Sequence, residues 1–114
     1  MQLITDEQFD ILLENARKSA TDPAFDPQPV VKLFTPDGSA TWLISAVDPD
    51  DPDILEGLCD LGLGCVEFGT VRLSEIRDVR GALGLPVERD VYFVADRPIS
   101  AYASLAMKMG SLIV

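Results

Sequence analysis

The sequence predicts an α+β domain: an antiparallel, meander-like sheet of about five strands, with helices at both chain termini and one short internal helix. Apolar residues recur at helical spacing near each end of the chain, whereas short β-rich runs fill the middle. Proline- and glycine-rich turns separate these runs closely enough for hairpins. At 114 residues, 47% of them hydrophobic, the chain has the size and composition of one domain, so we treat 1–114 as a unit.

A helix with one apolar face is predicted over about residues 5–20. Thr5 can accept a hydrogen bond from an amide of the first turn, and Gln8 follows three residues later, which is the spacing of a capping box. The residues at helical spacing that form the apolar face are Phe9, Leu12, Leu13, Ala16 and Ala20. Three prolines then exclude a helix from residues 21–29, which we interpret as a linker.

Residues 30–34 and 41–47 are predicted to pair as an antiparallel hairpin. The intervening Thr35-Pro36-Asp37-Gly38 is a strong turn, because proline fits its second position and glycine its fourth. Trp42 and Leu43 are adjacent in the returning strand, so their side chains point to opposite faces of the sheet. We interpret Trp42 as a core or sheet-face aromatic residue rather than a platform for stacking bases.

A second hairpin is predicted from residues 54–61 and 65–73, joined at Gly62-Leu63-Gly64. The segment between the two hairpins, Asp48–Asp53, is predicted to be a loop, since it contains two prolines and four aspartates. Because one hairpin follows the other along the chain, a meander is the simplest topology.

Three further elements complete the predicted fold. Ser74 can cap a short helix that continues to about Arg80, and the β-rich run Asp90–Ala95 is interpreted as the fifth strand. Pro98 opens a last helix that extends to about Met109. The apolar face of this last helix is formed by Tyr102, Leu105, Ala106 and Met109.

The chain is strongly acidic, with 19 aspartates and glutamates against 9 lysines and arginines and a net charge of −10. A field of this sign repels the phosphates of nucleic acids and attracts basic surfaces. The composition therefore argues against direct binding of DNA or RNA and favours a basic protein as the partner.

The N-terminal segment has neither the basic region nor the apolar region of a secretory leader. The apolar stretch Ile99–Val114 is interrupted by polar residues and is too short to cross a membrane. We therefore expect a cytoplasmic protein that does not bind membranes. Cys59 and Cys65 lack the Cys-x-x-Cys spacing, so we expect both to be free, buried thiols.

The sequence contains few candidate catalytic residues. Histidine is absent, which removes the commonest general base and the commonest metal ligand. Gly62-Leu63-Gly64 lacks the Lys-Ser/Thr ending of a phosphate-binding loop, and Pro52 stands where an EF-hand needs its fifth ligand. We assign no catalytic residue, metal or cofactor and expect a protein that is not an enzyme, although the many carboxylates leave a carboxylate-pair enzyme open.

The middle third of the chain carries only negative charge, because no lysine or arginine lies between Lys32 and Arg72. Glu56 and Asp60 share one face of their predicted strand and stand ~13 Å apart. Such a row of carboxylates can imitate the charges of a nucleic-acid backbone and fit a basic groove on another protein, or it can simply keep the sheet soluble. The candidate partner-binding residues are Asp48, Asp50, Asp51, Asp53, Glu56 and Asp60.

A second candidate site would bind a small ligand or act as a carboxylate-dependent enzyme. Its members are carboxylates and guanidinium groups near the predicted strand ends, namely Glu67, Arg72, Glu88, Arg89 and Asp90. Alternation places Arg89 on the opposite side of the chain from Glu88 and Asp90, which argues against a compact triad of these three. Arg89 could instead hold a loop or a helix end in place.

A third hypothesis for the function of the chain is self-association. The C-terminal run Leu105–Met109, followed by Leu112-Ile113-Val114, is apolar enough to seek a partner, so a homodimer through this segment is left open.

Several short motifs occur in a fixed order along the chain. They are Val31–Gly38, Thr41-Trp42, Glu67-Phe68-Gly69, Leu73–Ile76 and Gly84–Asp90. In this order the chain resembles the bacterial domain of unknown function family 2958, over about Thr5 to Tyr102. The resemblance implies a small accessory protein carried by plasmids, phages or integrated elements, near genes for DNA transfer and for countering host defence. It implies no catalytic residue.

Taken together, these observations predict a non-enzymatic, acidic protein-binding accessory factor of a mobile genetic element. The sharper hypothesis is that it inhibits a host defence protein that binds nucleic acid, by occupying the basic surface of that protein as a DNA mimic.

Overall fold

A computed structural model describes all residues, 1–114, and has the α+β fold that the sequence predicts. Five antiparallel strands form one open sheet in the order β4-β3-β2-β1-β5, with three helices around it. The helices are α1 (Asp6–Thr21), α2 (Leu73–Asp78) and α3 (Ile99–Met109). The strands are β1 (Val31–Phe34), β2 (Thr41–Val47), β3 (Ile54–Asp60), β4 (Val66–Arg72) and β5 (Glu88–Arg89).

Helix α1 begins at the predicted capping box. The hydroxyl of Thr5 accepts from the amide of Gln8 at 3.1 Å, and the side chain of Gln8 accepts from the amide of Thr5 at 2.9 Å. Further along the helix, the buried side-chain amide of Asn15 donates to the carbonyl of Ser45 at 2.9 Å. Ser45 lies at a β-bulge in β2, so Asn15 satisfies a carbonyl there and fixes α1 against the sheet.

The sheet separates two clusters of buried side chains, as strand alternation requires. Trp42 and Ile44 of β2 face α1 and pack in the larger cluster with Leu12. Leu43, between them in sequence, faces the opposite way and packs with Tyr102 of α3. The prediction that Trp42 belongs to the core is confirmed, since only 3% of the residue is exposed.

The fifth strand was placed wrongly by the sequence pattern. β5 is Glu88–Arg89, paired with β1, and not Asp90–Ala95. The last amide bonded to β1 is that of Asp90, which donates to the carbonyl of Lys32 at 3.0 Å. The side chain of Asp90 then accepts from the amide of Tyr92 at 2.9 Å and turns the chain away, so that Tyr92 is 90% exposed.

The cap of α2 was also assigned to the wrong residue. The helix begins at Leu73, and Ser74 is not its cap. Instead, the carboxylate of Asp53 accepts from the amide of Ser74 at 2.9 Å and from its hydroxyl at 2.7 Å. A loop residue distant in sequence therefore accepts hydrogen bonds from the first turn of the helix, in place of a cap within the helix itself.

The two cysteines are free, as expected, but they are less buried than expected. Cys59 is half-buried on β3, and burial raises the pKa of its thiol. Cys65 lies in the exposed connection between β3 and β4, where few side chains cover it.

Candidate functional site

The loop between β2 and β3 is held by its own aspartates. Asp48 accepts from the amide of Asp50 at 2.8 Å, and Asp51 accepts from the amide of Asp53 at 3.1 Å. Such bonds from an aspartate to the amide two residues on are typical of tight turns. Part of the acidity of this loop is thus explained by its backbone conformation.

Arg72 of β4 forms ion pairs with two of the predicted partner-binding carboxylates. Its guanidinium lies 3.3 Å from Asp51 and 3.5 Å from Asp53. The hydroxyl and the amide of Ser74, followed by Arg72, lower the pKa of Asp53, and the two carboxylates raise the pKa of Arg72. Asp51 and Asp53 therefore act mainly within the chain, joining the loop to β4 and α2.

Asp60 is not a surface residue, although it was predicted to be one. It shares a face of β3 with Glu56, as the alternation predicted, but only 5% of it is exposed. Its carboxylate accepts from the amide of Gly62 at 2.8 Å and from the amide of Leu112 at 2.9 Å. The segment that follows α3 covers this end of the face, so Asp60 holds the turn and the C-terminal segment together.

Asp48 and Glu56, in contrast, face a common depression of about 240 Å³ between the end of α1 and the edge of the sheet. Neither carboxylate has an ion-pair partner, and the side chain of Glu56 makes no hydrogen bond. Ser19 and Thr70 contribute hydroxyl groups, and no lysine or arginine lines the depression. Glu56 lies opposite Thr70 in the β3–β4 ladder, which fixes its position on the sheet.

A second depression, of about 330 Å³, adjoins the first at Ser19 and Glu56. It adds the carboxylate of Asp26 and the rings of Phe25 and Phe68, and again no basic residue lines it. The carboxylate of Asp26 accepts from the amide of Ser100 at 3.2 Å and from its hydroxyl, which fixes it at the start of α3.

We call these two depressions together the acidic groove, defined by Asp26, Asp48 and Glu56 with the rings of Phe25 and Phe68. One basic group reaches its rim, since the ammonium of Lys18 lies 5.7 Å from the centre of the Phe25 ring. This contact places a cation over an aromatic ring beside carboxylates, an arrangement that also suits an incoming lysine or arginine.

The sequence offered no signal for several members of the groove. Asp26 lies in the proline-rich linker, and Phe68 is a strand residue that is half-exposed. Asp26 approaches Glu56 only through the packing of segments distant in sequence, whereas the β3–β4 hairpin places Phe68, opposite Leu58, beside Glu56.

The alternative set of residues does not form one site. Glu67 and Arg72 lie on β4, at one edge of the sheet, whereas Glu88 and Arg89 lie on β5, at the other. Four strand spacings, roughly 19 Å, separate the two edges.

The groups at the β5 edge have partners of their own. The guanidinium of Arg89 donates to the carbonyl of Gln2, and Asp90 pairs with Lys32 at 3.4 Å. Arg89 therefore holds the N-terminal segment to the sheet edge, which is the structural role left open for it.

No group of three or more cysteine, aspartate or glutamate side chains is arranged to hold a metal ion. None of the helices has the length and apolar character that crossing a membrane requires.

Comparison with known proteins gives a family and no functional relative. The chain matches no curated protein and no solved structure. One family matches residues 3–113, which is nearly the whole chain and includes β4, the loop after β2 and all three helices. The chain belongs to the family described as "Protein of unknown function (DUF2958)".

Proposed function

We propose that this protein is a non-enzymatic, acidic accessory factor of a plasmid, phage or integrated element that binds a basic protein through the acidic groove. The groove is the observation that carries the proposal. Three carboxylates and two aromatic rings line it, and the lining contains no basic side chain.

The chemistry of the groove suits lysine and arginine side chains. A carboxylate without a counter-ion attracts a cation, and a half-exposed ring such as Phe68 offers it an aromatic face. Asp48 and Glu56 differ in this respect from Asp51 and Asp53, which share the single positive charge of Arg72. Within the predicted acidic row, the free carboxylates are therefore the ones available to a partner.

The charge of the whole molecule supports the same proposal. Only five of the 19 acidic residues have an ion-pair partner in the chain, and the net charge is −10. A surplus of this size steers a basic protein toward the surface and repels nucleic acids. A partner that itself binds nucleic acid, such as a host defence protein, has the basic surface that this charge fits.

A pair of matched variants tests the proposal. The groove variant, Asp48→Asn with Glu56→Gln, removes two charges from the groove and keeps the shape of both side chains. The charge control, Asp10→Asn with Asp78→Asn, removes two exposed charges that have no ion pair and lie outside the groove. Proteins captured from a bacterial host by each form are quantified by mass spectrometry.

We expect a basic protein to be retained by the wild type and by the charge control, and lost from the groove variant. Retention should weaken as salt rises, and duplex DNA should displace the captured protein if its basic surface also binds nucleic acid. Equal retention by all three forms would exclude the groove as the binding site. If duplex DNA did not displace the captured protein, only the DNA-mimic form of the proposal would be excluded, and binding of a basic protein at the groove would stand.

A second candidate function is self-association through the C-terminal segment. The observation that favours it is exposed apolar surface, with Met107 80% exposed and Met109 60% exposed on α3. Light scattering at several concentrations tests it, because Met107→Ser with Met109→Ser should convert a dimer into a monomer. A wild type that stays monomeric at all concentrations would reject it.

A further inference from the structure

The two edges of the sheet differ in how well they are protected. β5 is only two residues long, and a very short edge strand offers little to pair with. β4 is seven residues long and pairs with β3 without a register shift along its whole length. It contains no proline, no lysine and no bulge, which are common means of blocking an edge.

The outer edge of β4 is also accessible. Its four consecutive residues from Glu67 to Thr70 are all exposed, and Phe68 is 53% exposed. A methyl group built on Gly69 would meet no atom within 4 Å. The central part of β4 is therefore open to solvent rather than covered by a helix or loop.

The acidic groove lies beside this edge. Phe68 and Thr70 of β4 line the groove, and Thr70 lies directly opposite Glu56 on β3. A strand added next to β4 would place one residue opposite Thr70, about 10 Å from the backbone of Glu56, because neighbouring strands lie about 4.8 Å apart. A lysine or arginine at that position can extend over the small side chain of Thr70 to the carboxylate.

The opposite face of the edge is acidic as well. Glu67 points to the face that carries α1 and has neither an ion pair nor a hydrogen bond to its carboxylate. Arg72, the one basic residue of β4, is held by Asp51 and Asp53 at the end of the strand. An added strand would thus meet free carboxylates on both of its faces.

We propose that β4 binds an extended basic segment of the partner by strand addition, with its backbone paired to β4 and a lysine or arginine reaching Glu56. This inference rests on the proposed function and names the form of the ligand. Charge complementarity favours a basic segment over a second copy of the chain, since a second copy would bring another net charge of −10 and another Glu67 to the same edge.

The experiment uses a heptapeptide that alternates lysine and threonine, Lys-Thr-Lys-Thr-Lys-Thr-Lys, acetylated and amidated at its ends. Its length matches β4. The control peptide has the same side chains and the same charge, but its internal backbone amides are N-methylated and cannot donate to a strand. A third peptide replaces each lysine with glutamate. Affinity is measured at low salt by calorimetry, and protection of the β4 amides is measured by hydrogen exchange.

We expect the first peptide to bind and to protect amides of β4, and N-methylation to weaken binding by about tenfold or more, since several backbone hydrogen bonds are lost. The glutamate peptide should not bind, and binding of it would overturn the charge argument. Equal affinity of the methylated and unmethylated peptides would overturn strand addition and leave a groove that binds cations through side chains alone. Absence of binding by every peptide would also overturn strand addition, whereas the proposed function is decided separately by capture with the groove variant.

Discussion

Replacing Asp60 with alanine should reduce the stability of the fold and should not act through the partner. Asp60 is 5% exposed, and its two carboxylate oxygens accept from the amides of Gly62 and Leu112 at 2.8 and 2.9 Å. Alanine leaves both amides without an acceptor and opens a small void beneath the C-terminal segment. The two amides belong to the turn after β3 and to the segment after α3, so both should loosen.

The size of the effect follows from these two bonds. A buried donor left without a partner costs about 1–3 kcal/mol, and the value lies at the low end where water can reach it. Both amides are near the surface, so Asp60→Ala should lower the free energy of unfolding by about 2–4 kcal/mol. Asp60→Asn retains one acceptor oxygen and should cost about half as much.

Urea denaturation followed by circular dichroism measures this loss, with Glu56→Gln as the matched control on the same face of β3. Glu56 is exposed and its side chain makes no hydrogen bond, so Glu56→Gln should change stability by less than about 0.5 kcal/mol. The reasoning would be refuted if Asp60→Ala were as stable as the wild type, and most clearly if this stable variant also failed to bind the partner. That outcome would return Asp60 to the exposed acidic row.

Three further predictions concern the scaffold of the groove. Gly57→Ala should lower the free energy of unfolding in urea by about 1–3 kcal/mol, because the new methyl group would lie 1.9 Å from the carbonyl oxygen of Leu43. The control Gly69→Ala, in open space on the neighbouring strand, should be neutral or slightly stabilising. Equal losses of stability in the two variants would contradict this reasoning. Asn15→Ala should cost about 1–3 kcal/mol, since it leaves a buried carbonyl at the bulge of β2 without its donor, and a neutral result in the same assay would show that water replaces the bond. The pKa of Asp53 is lowered in the folded state, so its contribution to stability is present above the unfolded pKa and is lost as the pH falls through the folded value, below about pH 4. Acid unfolding of Asp53→Asn should therefore be less steep than that of the wild type, and identical profiles would argue against the contribution of Asp53.

The sequence predicted the elements whose causes are local. The capping box of α1 needs only Thr5 and Gln8, and the first hairpin needs only its turn and two β-rich runs, so both were found. Alternation correctly placed Trp42 in the core and put Glu56 and Asp60 on one face of β3.

The errors arose where a distant segment decides the outcome. Asp60 is buried because Leu112, 52 residues away, closes over it. The start of α2 is satisfied by Asp53 rather than by Ser74 because the loop after β2 returns to that point. β5 is short because Asp90 turns the chain away from β1, which leaves the following β-rich run outside the sheet.

The same long-range packing separates the carboxylates by role. Asp51, Asp53 and Asp60 are engaged within the chain, whereas Asp48, Asp50 and Glu56 have no counter-ion. Of these three, Asp48 and Glu56 line the groove and Asp50 does not. Sequence alone could count the negative charges, but it could not tell the ion-paired or buried carboxylates from those without a counter-ion. It also could not associate Asp26 with Glu56, since only the fold brings the linker and β3 to one groove.

The central claim is that the free carboxylates of the acidic groove, and not net charge in general, bind a basic ligand. The most direct measurement compares the affinity of the lysine–threonine heptapeptide for the groove variant with its affinity for the charge control, two proteins of equal net charge. The account predicts binding about three- to tenfold weaker for the groove variant. Equal affinities for the two proteins would contradict it.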